Sequence, residues 1–342
     1  MKKAQFKSVS TFRKDILSGE WILVATGRRS RPGAEKIKSE KRTSFPIGYC
    51  PFENPQKNNE TAVLWYAKPE VSASDSIDDW FLQVIPNKYP VLSPHQVCPV
   101  LNPVGPYQVM DGVGFHEVII TRDHEKTMAD MTIGEIGLIL RAYIERFVSI
   151  KNEDCIEYIL IFHNHGPRAG ASVSHPHSQL IALPIIPPDV ARSLDGSRLY
   201  FGKNKICAHC AILDFELSEK IRIIYENEEF VAFCPYAPRS SFEVRIYPRA
   251  HQAHFESINY ETRKNLAAAF KAVLEKIRGA MNDPDYNFLI HTAPAKNNNE
   301  EHYHWHVEVL PRINIWAGLE LGTGIVVVAV SPEEAAETLR NF

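Results

Sequence analysis

Alternating apolar and polar positions mark several short strand-like segments along the chain, and two longer segments repeat apolar residues at helical spacing. The first helix is predicted over residues 132–150, because Thr132 and Glu135 match the capping-box pattern before an apolar stripe. The second helix is predicted over residues 259–281. Short strands around one long helix in each region predict an α+β protein whose sheet is largely antiparallel, with the helices packed on one face.

The strand-like segments occur twice, in the same order and at a nearly constant spacing. The matched segments are 81–90 with 230–239, 116–124 with 242–251, 158–163 with 287–291, and 175–177 with 304–306. A duplicated half-domain is therefore predicted, with an N-terminal half over residues 1–185 and a C-terminal half over residues 186–342. Residues 184–205, rich in proline, glycine and serine, are interpreted as the linker between the halves.

Composition and charge narrow the class of protein. The 342 residues include 44% hydrophobic and 23% charged side chains, which is typical of globular proteins. A formal net charge of −3 provides no polycationic surface, so no nucleic-acid partner is expected. The sequence shows neither a membrane-spanning apolar run nor a secretory-signal pattern, and a cytoplasmic protein with no membrane partner is expected. Six cysteines do not indicate a disulfide scaffold, and Cys98, Cys155 and Cys234 are interpreted as buried small side chains.

Histidine is unusually frequent: the 14 histidines form four His-x-His pairs, where random placement gives roughly 0.6. Residues two apart on a strand share a face, so His175 with His177, and His304 with His306, are each predicted to point into one site. A neutral imidazole suits nucleophilic attack at phosphorus, and His177 is the candidate nucleophile. Gln179 lies two residues further along the same predicted face, where its amide can donate to a phosphate oxygen.

A segment of small residues, 164–174, precedes this block. Gly166 and Gly170 permit a backbone whose N–H groups converge on anionic oxygens, and Ser172 adds a hydroxyl donor. The segment is therefore predicted to cradle a phosphate beside the nucleophile. Gln179 stands where a third histidine would serve hydrolysis, and its presence favours transfer over hydrolysis.

Two sets of residues are predicted to bind zinc. The ligands predicted in the second repeat are Cys207, Cys210, His251 and His304. The ligands predicted in the first repeat are Cys50, Glu53, His124 and His175. A carboxylate in the first set replaces the second cysteine. A redox-active cysteine pair in the second set and an ordinary turn in the first set are the alternatives.

These motifs resemble the galactose-1-phosphate uridylyltransferase family of the histidine-triad superfamily, and the resemblance covers nearly the whole chain. The shared features are residues 12–24 with the following Arg28, Arg31 and Pro32, residues 86–90, the block 164–179, and the strand at 304–306. The resemblance implies a duplicated HIT-like fold and a ping-pong reaction. In that reaction His177 attacks the α-phosphorus of a nucleotide-sugar, releases a hexose-1-phosphate, and passes the nucleotidyl group to a sugar-1-phosphate or to phosphate.

The same resemblance implies roles for further residues. Gln179 and Ser172 would steady phosphate oxygens, and His175 would be a zinc ligand beside the nucleophile. The positions expected around the nucleotide and phosphates are Arg28, Arg31, Asn87 and Asn164. The active site of family members is built across two subunits, so a homodimer is implied.

Residues 317–324 depart from the pattern of galactose-using members. They keep Gly318 and Glu320, and Glu320 is a candidate substrate-binding residue, but they lack the lysine, tyrosine and glutamine placed around the hexose phosphate. This segment looks more like that of the ADP-glucose phosphorylase branch. The glutamate of iron-binding members has no counterpart near Ser193, which leaves His291, His304 and His306 to zinc or to no metal.

The predicted function is transfer of a uridylyl group between UDP-glucose and a hexose-1-phosphate. Three alternatives stay open: adenylyl transfer to phosphate by an ADP-glucose phosphorylase-like enzyme, a histidine-triad nucleotide hydrolase, and a zinc-stabilised binding protein in which His177 is dispensable.

Overall fold

The fold is described by a computed structural model that covers residues 10–30, 46–58, 61–68, 76–296 and 301–342. Its strands are β1 (Thr11–Lys14), β2 (Trp21–Val24), β3 (Leu64–Ala67), β4 (Trp80–Pro86), β5 (Asn102–Val104), β6 (Tyr107–Val109), β7 (Phe115–Thr121), β8 (Tyr158–His165), β9 (His177–Leu183), β10 (Ile223–Glu226), β11 (Phe230–Phe233), β12 (Val244–Pro248), β13 (Tyr286–His291), β14 (His306–Pro311) and β15 (Val326–Val328). Its helices are α1 (Ile133–Ile150), α2 (Pro188–Asn204), α3 (Ala208–Glu219), α4 (Tyr260–Met281), α5 (Gly318–Thr323) and α6 (Pro332–Arg340).

A ten-stranded sheet organises the described part of the chain, in the order β10-β11-β12-β14-β13-β8-β9-β7-β4-β3. Each neighbouring pair in this sheet is antiparallel. From the centre outward, the strands of the two halves follow equivalent orders, and β8 pairs with β13 at the junction. The predicted duplication and the α+β class with an antiparallel sheet are therefore confirmed.

Helices α1 and α4 occupy equivalent places in the two halves and pack on each other and against one face of the sheet. The Thr132 side chain accepts from Glu135 N, and the Glu135 carboxylate accepts from Thr132 N, so a capping box starts α1. Asn259 caps α4 by accepting from Thr262 N at 2.9 Å. Both predicted helices are confirmed to within a residue at their starts. Each large apolar side chain buried beneath them contributes roughly 1.5–3 kcal/mol.

The predicted linker is wrong for most of its length, because residues Pro188–Asn204 form α2. Proline is tolerated in the first turn of a helix, where its missing N–H has no intrahelical partner. Gly196 lies against the backbone carbonyl of Leu17, at a place where a Cβ would overlap that carbonyl. The small and proline residues that suggested a loop therefore serve a helix start and a close backbone approach.

The two predicted long helices pack on one face, as expected, but two further helices, α2 and α3, lie on the face opposite α1 and α4. Leu213 of α3 packs with Phe233 and Tyr247, whereas the alternate strand residues Ala232 and Ile246 pack beneath α1 and α4. Alternation along the strands therefore separates the two helix layers. In the first half, the face opposite α1 is the one that carries the functional residues described below.

Cys98 and Cys155 form a disulfide, so the prediction that both are buried, unpaired side chains is wrong. Cys98 is exposed in the segment between β4 and β5, and Cys155 lies between α1 and β8. The two residues are 57 positions apart, and sequence spacing alone predicts no pairing at such a separation. Cys234 is buried and free, as predicted.

A smaller sheet contains β1, β2 and β15, with β15 parallel to β2. Apolar side chains from β2 and β15 pack with Ala237 of the second half. This sheet therefore packs β2, near the start of the described chain, and β15, near its end, against the second half. Within the described ranges, no helix combines the length and the hydropathy needed to cross a membrane.

Candidate functional site

His177 is the first residue of β9. Leu180 and Ala182 on this strand belong to the core beneath α1, so alternation places His177 and Gln179 on the opposite face. His177 is nearly closed to solvent, with only 8% of its surface exposed. The Phe52 ring lies 5.0 Å from the His177 ring. The candidate nucleophile is therefore nearly buried, with an aromatic ring beside it.

The hydrogen bonding of His177 fixes which ring nitrogen is available for chemistry. Nδ1–H donates to the backbone carbonyl of His175 at 2.8 Å, so Nε2 carries the lone pair. Burial lowers the pKa of His177 below its usual value, and the ring is therefore neutral near pH 7. A neutral imidazole with an unshared pair on Nε2 is the form that attacks phosphorus.

Gln179 is half-buried, and its Oε1 lies 2.8 Å from Nε2 of His116 on β7. His116 is buried and also lies 3.0 Å from Nδ2 of Asn87. Sequence reasoning placed Gln179 and Asn87 near the phosphates but did not identify His116. No local sequence signal marks His116, because the pairing of Val118 with Gln179 across β7 and β9 joins distant segments of the chain.

The segment between β8 and β9 is a tight turn that two glycines allow. Gly166 has φ 84° and Gly170 has φ 90°, values that other residues adopt only with strain. Asn164 Oδ1 accepts from Nδ2 of Asn287 at 2.7 Å, so its own NH2 group is turned toward other acceptors. Ser172 is exposed in the same segment. The residues predicted to cradle a phosphate thus lie on one continuous segment that leads into the nucleophile.

The first predicted zinc set comes together, with its possible ligand atoms within 4.8 Å of one another. Nδ1 of His175 lies 3.5 Å from Cys50 Sγ, 3.2 Å from His124 Nδ1 and 3.3 Å from Glu53 Oε1. Zinc ligands at their usual bond lengths stand about 3.4 Å apart in a tetrahedron. Nε2–H of His175 donates to the Thr121 carbonyl at 2.6 Å, so Nδ1 faces the other ligands with its lone pair. This set of donors fits a zinc ion.

The second predicted zinc set also comes together, again with ligand atoms within 4.8 Å of one another. Cys210 Sγ lies 3.2 Å from His251 Nδ1 and 3.6 Å from His304 Nδ1. A hydrogen bond with Cys210 lowers the pKa of the Cys207 thiol to about 5, and burial lowers the pKa of His304 to about 3. The same hydrogen bond raises the pKa of Cys210, so one thiol of the pair is held ionised, and the close approach of the four ligand atoms fits a zinc ion as well.

A third cluster contains His291, His306 and Glu308, and it lies in the second half. His306 and Glu308 occupy in β14 the positions that the nucleophile and its neighbouring glutamine occupy in β9. Glu308 Oε1 lies 3.2 Å from Arg245 Nε. Burial opposes ionisation of Glu308, but Arg245 and His291 outweigh it and hold its pKa well below the usual value. In the second half, the ion pair between Glu308 and Arg245 therefore takes the place of the Gln179 amide that lies beside neutral His177 in the first half.

Two of the predicted substrate-binding residues make no direct contact with His177. Arg28 is exposed in the turn after β2, and at the start of this turn the backbone N–H of Ala25 donates to the carbonyl of Val328 at the end of β15. Glu320 accepts from Ala317 N at 2.9 Å and thereby caps α5. Among the residues that the structure describes, no hydrogen bond, ion pair or ring contact joins either of them to His177. Arg31 lies outside the described residues.

The chain matches two protein-family models and is similar in sequence to several known proteins. The family model for the galactose-1-phosphate uridyl transferase N-terminal domain matches residues 2–187, and the HIT domain model matches residues 217–313. ADP-glucose phosphorylase of Arabidopsis thaliana is 35% identical over 333 residues, covering 96% of this chain and 92% of that protein. Galactose-1-phosphate uridylyltransferase of Thermotoga maritima is 27% identical over 338 residues, covering 96% and 97%.

Solved structures agree with these matches. The crystal structure of ADP-glucose phosphorylase from Arabidopsis thaliana with bound ADP-glucose superposes with a TM-score of 0.80 at 32% identity, covering 98% of this chain and 99% of the other. A uridylyltransferase structure superposes with a TM-score of 0.73 at 28% identity, covering 97% and 98%. The fold and the site define a HIT-like nucleotidyltransferase. The chain belongs to the galactose-1-phosphate uridylyltransferase family, as the sequence motifs predicted.

Proposed function

We propose that this chain moves a nucleotidyl group from a nucleotide-sugar to a sugar-1-phosphate or to phosphate through a covalent intermediate on His177. The observation that carries the proposal is the hydrogen bond from Nδ1–H of His177 to the His175 carbonyl, which leaves Nε2 unprotonated in a neutral ring. Membership of the family supports the class of reaction.

In the first half-reaction, Nε2 of His177 bonds to the α-phosphorus, and the bond from that phosphorus to the bridging oxygen breaks. Hexose-1-phosphate leaves, and the positive charge on the ring is stabilised by the Nδ1–H bond to the His175 carbonyl. In the second half-reaction, an oxygen of the incoming phosphate attacks the same phosphorus. The phosphorus–nitrogen bond breaks, and the neutral imidazole is restored.

Several side-chain and backbone donors are proposed to surround the phosphates in both half-reactions. The NH2 group of Gln179 is proposed to donate to a nonbridging oxygen of the α-phosphate. The tight turn that contains Gly166 and Gly170 is proposed to offer backbone N–H groups, with the Ser172 hydroxyl and the Asn164 amide beside it. Such donors stabilise the charge that develops in the transition state.

Zinc in the first set would be held by Cys50, Glu53, His124 and His175, and it would supply a fixed charge and a rigid ligand cage. His175 connects that cage to the reaction, because its Nδ1 belongs to the ligand set and its carbonyl accepts from His177. Zinc in the second set would hold the start of α3 to the loops before β14, which is a structural role.

Two donors are compatible with the family. Uridylyl transfer is the sequence-based choice, and uridylyltransferase relatives that span nearly the whole chain support it. Adenylyl transfer to phosphate is the second candidate, because the Arabidopsis thaliana ADP-glucose phosphorylase has the higher identity, 35% against 27%. The missing lysine, tyrosine and glutamine of residues 317–324 favour the same candidate.

We also propose that the working unit is a homodimer, as the resemblance to the family implies, with Arg28 and Glu320 contributed to the site of the other copy. A second copy would then bring them to the phosphates. Mixing His177→Ala chains with Arg28→Ala chains tests this, since random mixed dimers restore about a quarter of the wild-type activity when the site is shared between subunits. Failure of the mixture to recover activity above that of either variant would show that each site lies within one chain.

Two further proposals concern the whole chain. Residues 1–185 and 186–342 are proposed as the repeated units, and limited proteolysis tests whether cleavage falls between them. The location is proposed to be cytoplasmic, and cell fractionation tests it. The redox state of the Cys98–Cys155 pair is measured in the isolated protein as part of the same test. Disulfides are rare in reducing compartments, so the oxidation state bears on the location.

The experiment that tests the central proposal follows a label from the nucleotide to the protein. The chain is incubated with UDP-glucose, and separately with ADP-glucose, each labelled at the α-phosphate. We expect acid-labile label on the protein with one of the two donors, and no label on His177→Ala. Turnover of His177→Gly is expected to recover with added imidazole. The matched control is His95→Ala, which removes an exposed histidine on another segment.

Each alternative function gives a different result in the same experiment. Label retained by His177→Ala would exclude the covalent route through this residue. Release of a nucleoside monophosphate without any acceptor would identify a hydrolase. Tight binding of the nucleotide-sugar with neither label nor product would identify a binding protein.

A further inference from the structure

His116 is a buried polar residue on the face of the sheet that also carries His177 and Gln179. Its side chain contacts three separate segments and is hydrogen-bonded to two of them. Nε2 lies 2.8 Å from Gln179 Oε1 on β9, and 3.0 Å from Asn87 Nδ2 at the end of β4. Nδ1 lies 3.2 Å from the backbone nitrogen of Val91 in the following loop. One imidazole therefore joins a loop, its own strand and the strand of the nucleophile.

These partners determine the tautomer of His116. The backbone N–H of Val91 can only donate, so Nδ1 must accept from it. In a neutral ring the hydrogen then lies on Nε2. Asn87 Nδ2 is a donor and cannot take this hydrogen, whereas Gln179 Oε1 is an acceptor at hydrogen-bond distance. The Nε2–H of His116 therefore donates to the carbonyl oxygen of the Gln179 side chain.

This hydrogen bond also determines which end of the Gln179 amide faces the site. An amide can rotate by half a turn and exchange its oxygen and its NH2 group at almost the same positions. Because His116 holds the oxygen, the NH2 group is directed away from His116. The strands hold the pair in place, since Val118 of β7 is opposite Gln179 and His116 is the next residue on the same face.

We propose that His116 is a positioning residue that fixes the Gln179 amide so that its NH2 group is presented to the α-phosphate. The inference rests on the proposed function, in which Gln179 donates to a nonbridging oxygen. Without His116 the amide is free to turn its oxygen toward the phosphate, and two electron-rich oxygens then face each other. The hydrogen bond from Val91 N–H ties the loop after β4 to the same ring.

Two conservative variants separate the two sides of the ring. In His116→Gln the side-chain NH2 group reaches the position of Nε2 and can still donate to Gln179. In His116→Asn the shorter side chain reaches only the position of Nδ1, where its oxygen can accept from Val91. We expect His116→Asn to slow formation of the nucleotidyl adduct at saturating nucleotide-sugar by about tenfold, the effect of one lost hydrogen bond. His116→Gln is expected to stay within about threefold of the wild type.

A double variant tests whether His116 acts through Gln179. If it does, His116→Asn combined with Gln179→Ala forms adduct at the same rate as Gln179→Ala alone. Melting temperatures are measured in parallel, and the expected rate effect is on kcat rather than on KM. Independent, multiplicative losses in the double variant would overturn the inference, as would a His116→Gln variant as slow as His116→Asn.

A measurement that needs no activity keeps this inference distinct from the proposed function. Nitrogen-15 NMR of the wild type with its nucleotide-sugar absent is expected to show His116 as the Nε2–H tautomer. A predominant Nδ1–H tautomer would overturn the inference even in an active enzyme. A wild type that forms no adduct overturns both the proposed function and the role of His116 in it. An active wild type whose double variant shows multiplied rate losses overturns only the role of His116.

Discussion

Gly166 in the first half lies directly against the side-chain carboxylate of Asp285 in the second half. A Cβ at residue 166 would overlap the carboxylate oxygens of Asp285. The same carboxylate accepts from the backbone N–H of Arg168 at 2.7 Å, so it also holds the turn that follows. A residue of one repeat therefore closes the phosphate-binding turn proposed in the other repeat.

This contact predicts that Gly166→Ala is more harmful than the same change at Gly170. Both positions have positive φ, which costs a residue with a Cβ roughly 1–2 kcal/mol, but only residue 166 also overlaps a neighbour. The atom closest to a Cβ at Gly170 is Asn164 Nδ2 at 3.8 Å, which is ordinary contact. We expect urea unfolding to show a larger loss of stability for Gly166→Ala, together with loss of adduct formation.

Gly105→Ala provides a control for the backbone cost alone. Gly105 has φ 60° on the β5–β6 hairpin, and no atom lies within 4 Å of a Cβ built there. Its variant is expected to lose stability through strain only and to keep its activity. Equal losses at positions 105 and 166 would show that the Asp285 contact adds nothing.

Zinc content gives the second prediction. The wild type is expected to hold two zinc ions per chain, measured by elemental analysis after extensive dialysis. Cys210→Ser is expected to lose the ion of the second set and to melt at a lower temperature, because structural zinc contributes directly to folding. Glu53→Gln removes a charged ligand and is expected to lose the other ion.

The free, buried Cys234 supplies the control for these variants, since it belongs to neither set of ligands. Cys234→Ser is expected to retain both ions. A wild type with a single ion that only Cys210→Ser removes would show that the Cys50 set binds no zinc. A wild type with no zinc at all would contradict the assignment of both sets.

The parts of the site that were predictable from sequence depend on local geometry. His177 and Gln179 share a face because a strand has a two-residue period, and the capping box at Thr132 involves residues three apart. The two clusters of possible metal ligands were predictable because cysteine, histidine and glutamate recur at matching places in the two repeats. Repetition supplied the long-range information that a single copy would lack.

The features that sequence reasoning missed depend on contacts between distant segments. His116 contacts Gln179 only because β7 lies beside β9 in the sheet, and the sequence around either residue does not predict this contact. The Cys98–Cys155 bond joins two loops with no repeated counterpart. Helix α2 was missed because its proline and glycine were interpreted as loop residues. The proline lies in the first turn of the helix, and Gly196 allows the close approach of the Leu17 carbonyl.

The third prediction concerns stability at low pH and involves His163, which lies on the helix face of β8. Burial lowers the pKa of His163 well below its usual value, and His165 and His177 nearby lower it further. The folded protein therefore does not protonate this ring near pH 6, whereas the unfolded chain does so below about pH 6.5. Stability is then lost as the pH falls below 6.5, because the unfolded state binds the additional proton.

His163→Phe isolates this contribution, because a phenyl ring can keep the stacking on Phe288, whose ring centre lies 5.1 Å away. The variant loses the hydrogen bond to Ser178 Oγ at every pH. Between pH 7.5 and pH 5.5, the unfolding free energy of the wild type is expected to fall by about 1.4 kcal/mol more than that of the variant. Urea unfolding at the two pH values measures the difference, and parallel losses would contradict the assignment.

The fourth prediction concerns the Cys98–Cys155 disulfide, which ties the exposed segment before β5 to the turn before β8. A cross-link between residues 57 positions apart removes loop entropy from the unfolded chain, worth about 4 kcal/mol on the chain-entropy model. We expect a phosphine reductant to lower the melting temperature. Thiol labelling of the denatured protein is expected to report two more reactive cysteines after reduction than before it.

Cys98→Ser separates this effect from any action of the reductant on the cysteines of the zinc sets. The variant cannot form the cross-link, so its melting temperature is expected to match that of the reduced wild type and to change little when reductant is added. A variant that still responds to reductant as strongly as the wild type would assign the response to Cys207 and Cys210 instead. Because the disulfide also borders the loop that contacts His116 through Val91, adduct formation measured on the same samples shows whether the cross-link supports stability alone or the site as well.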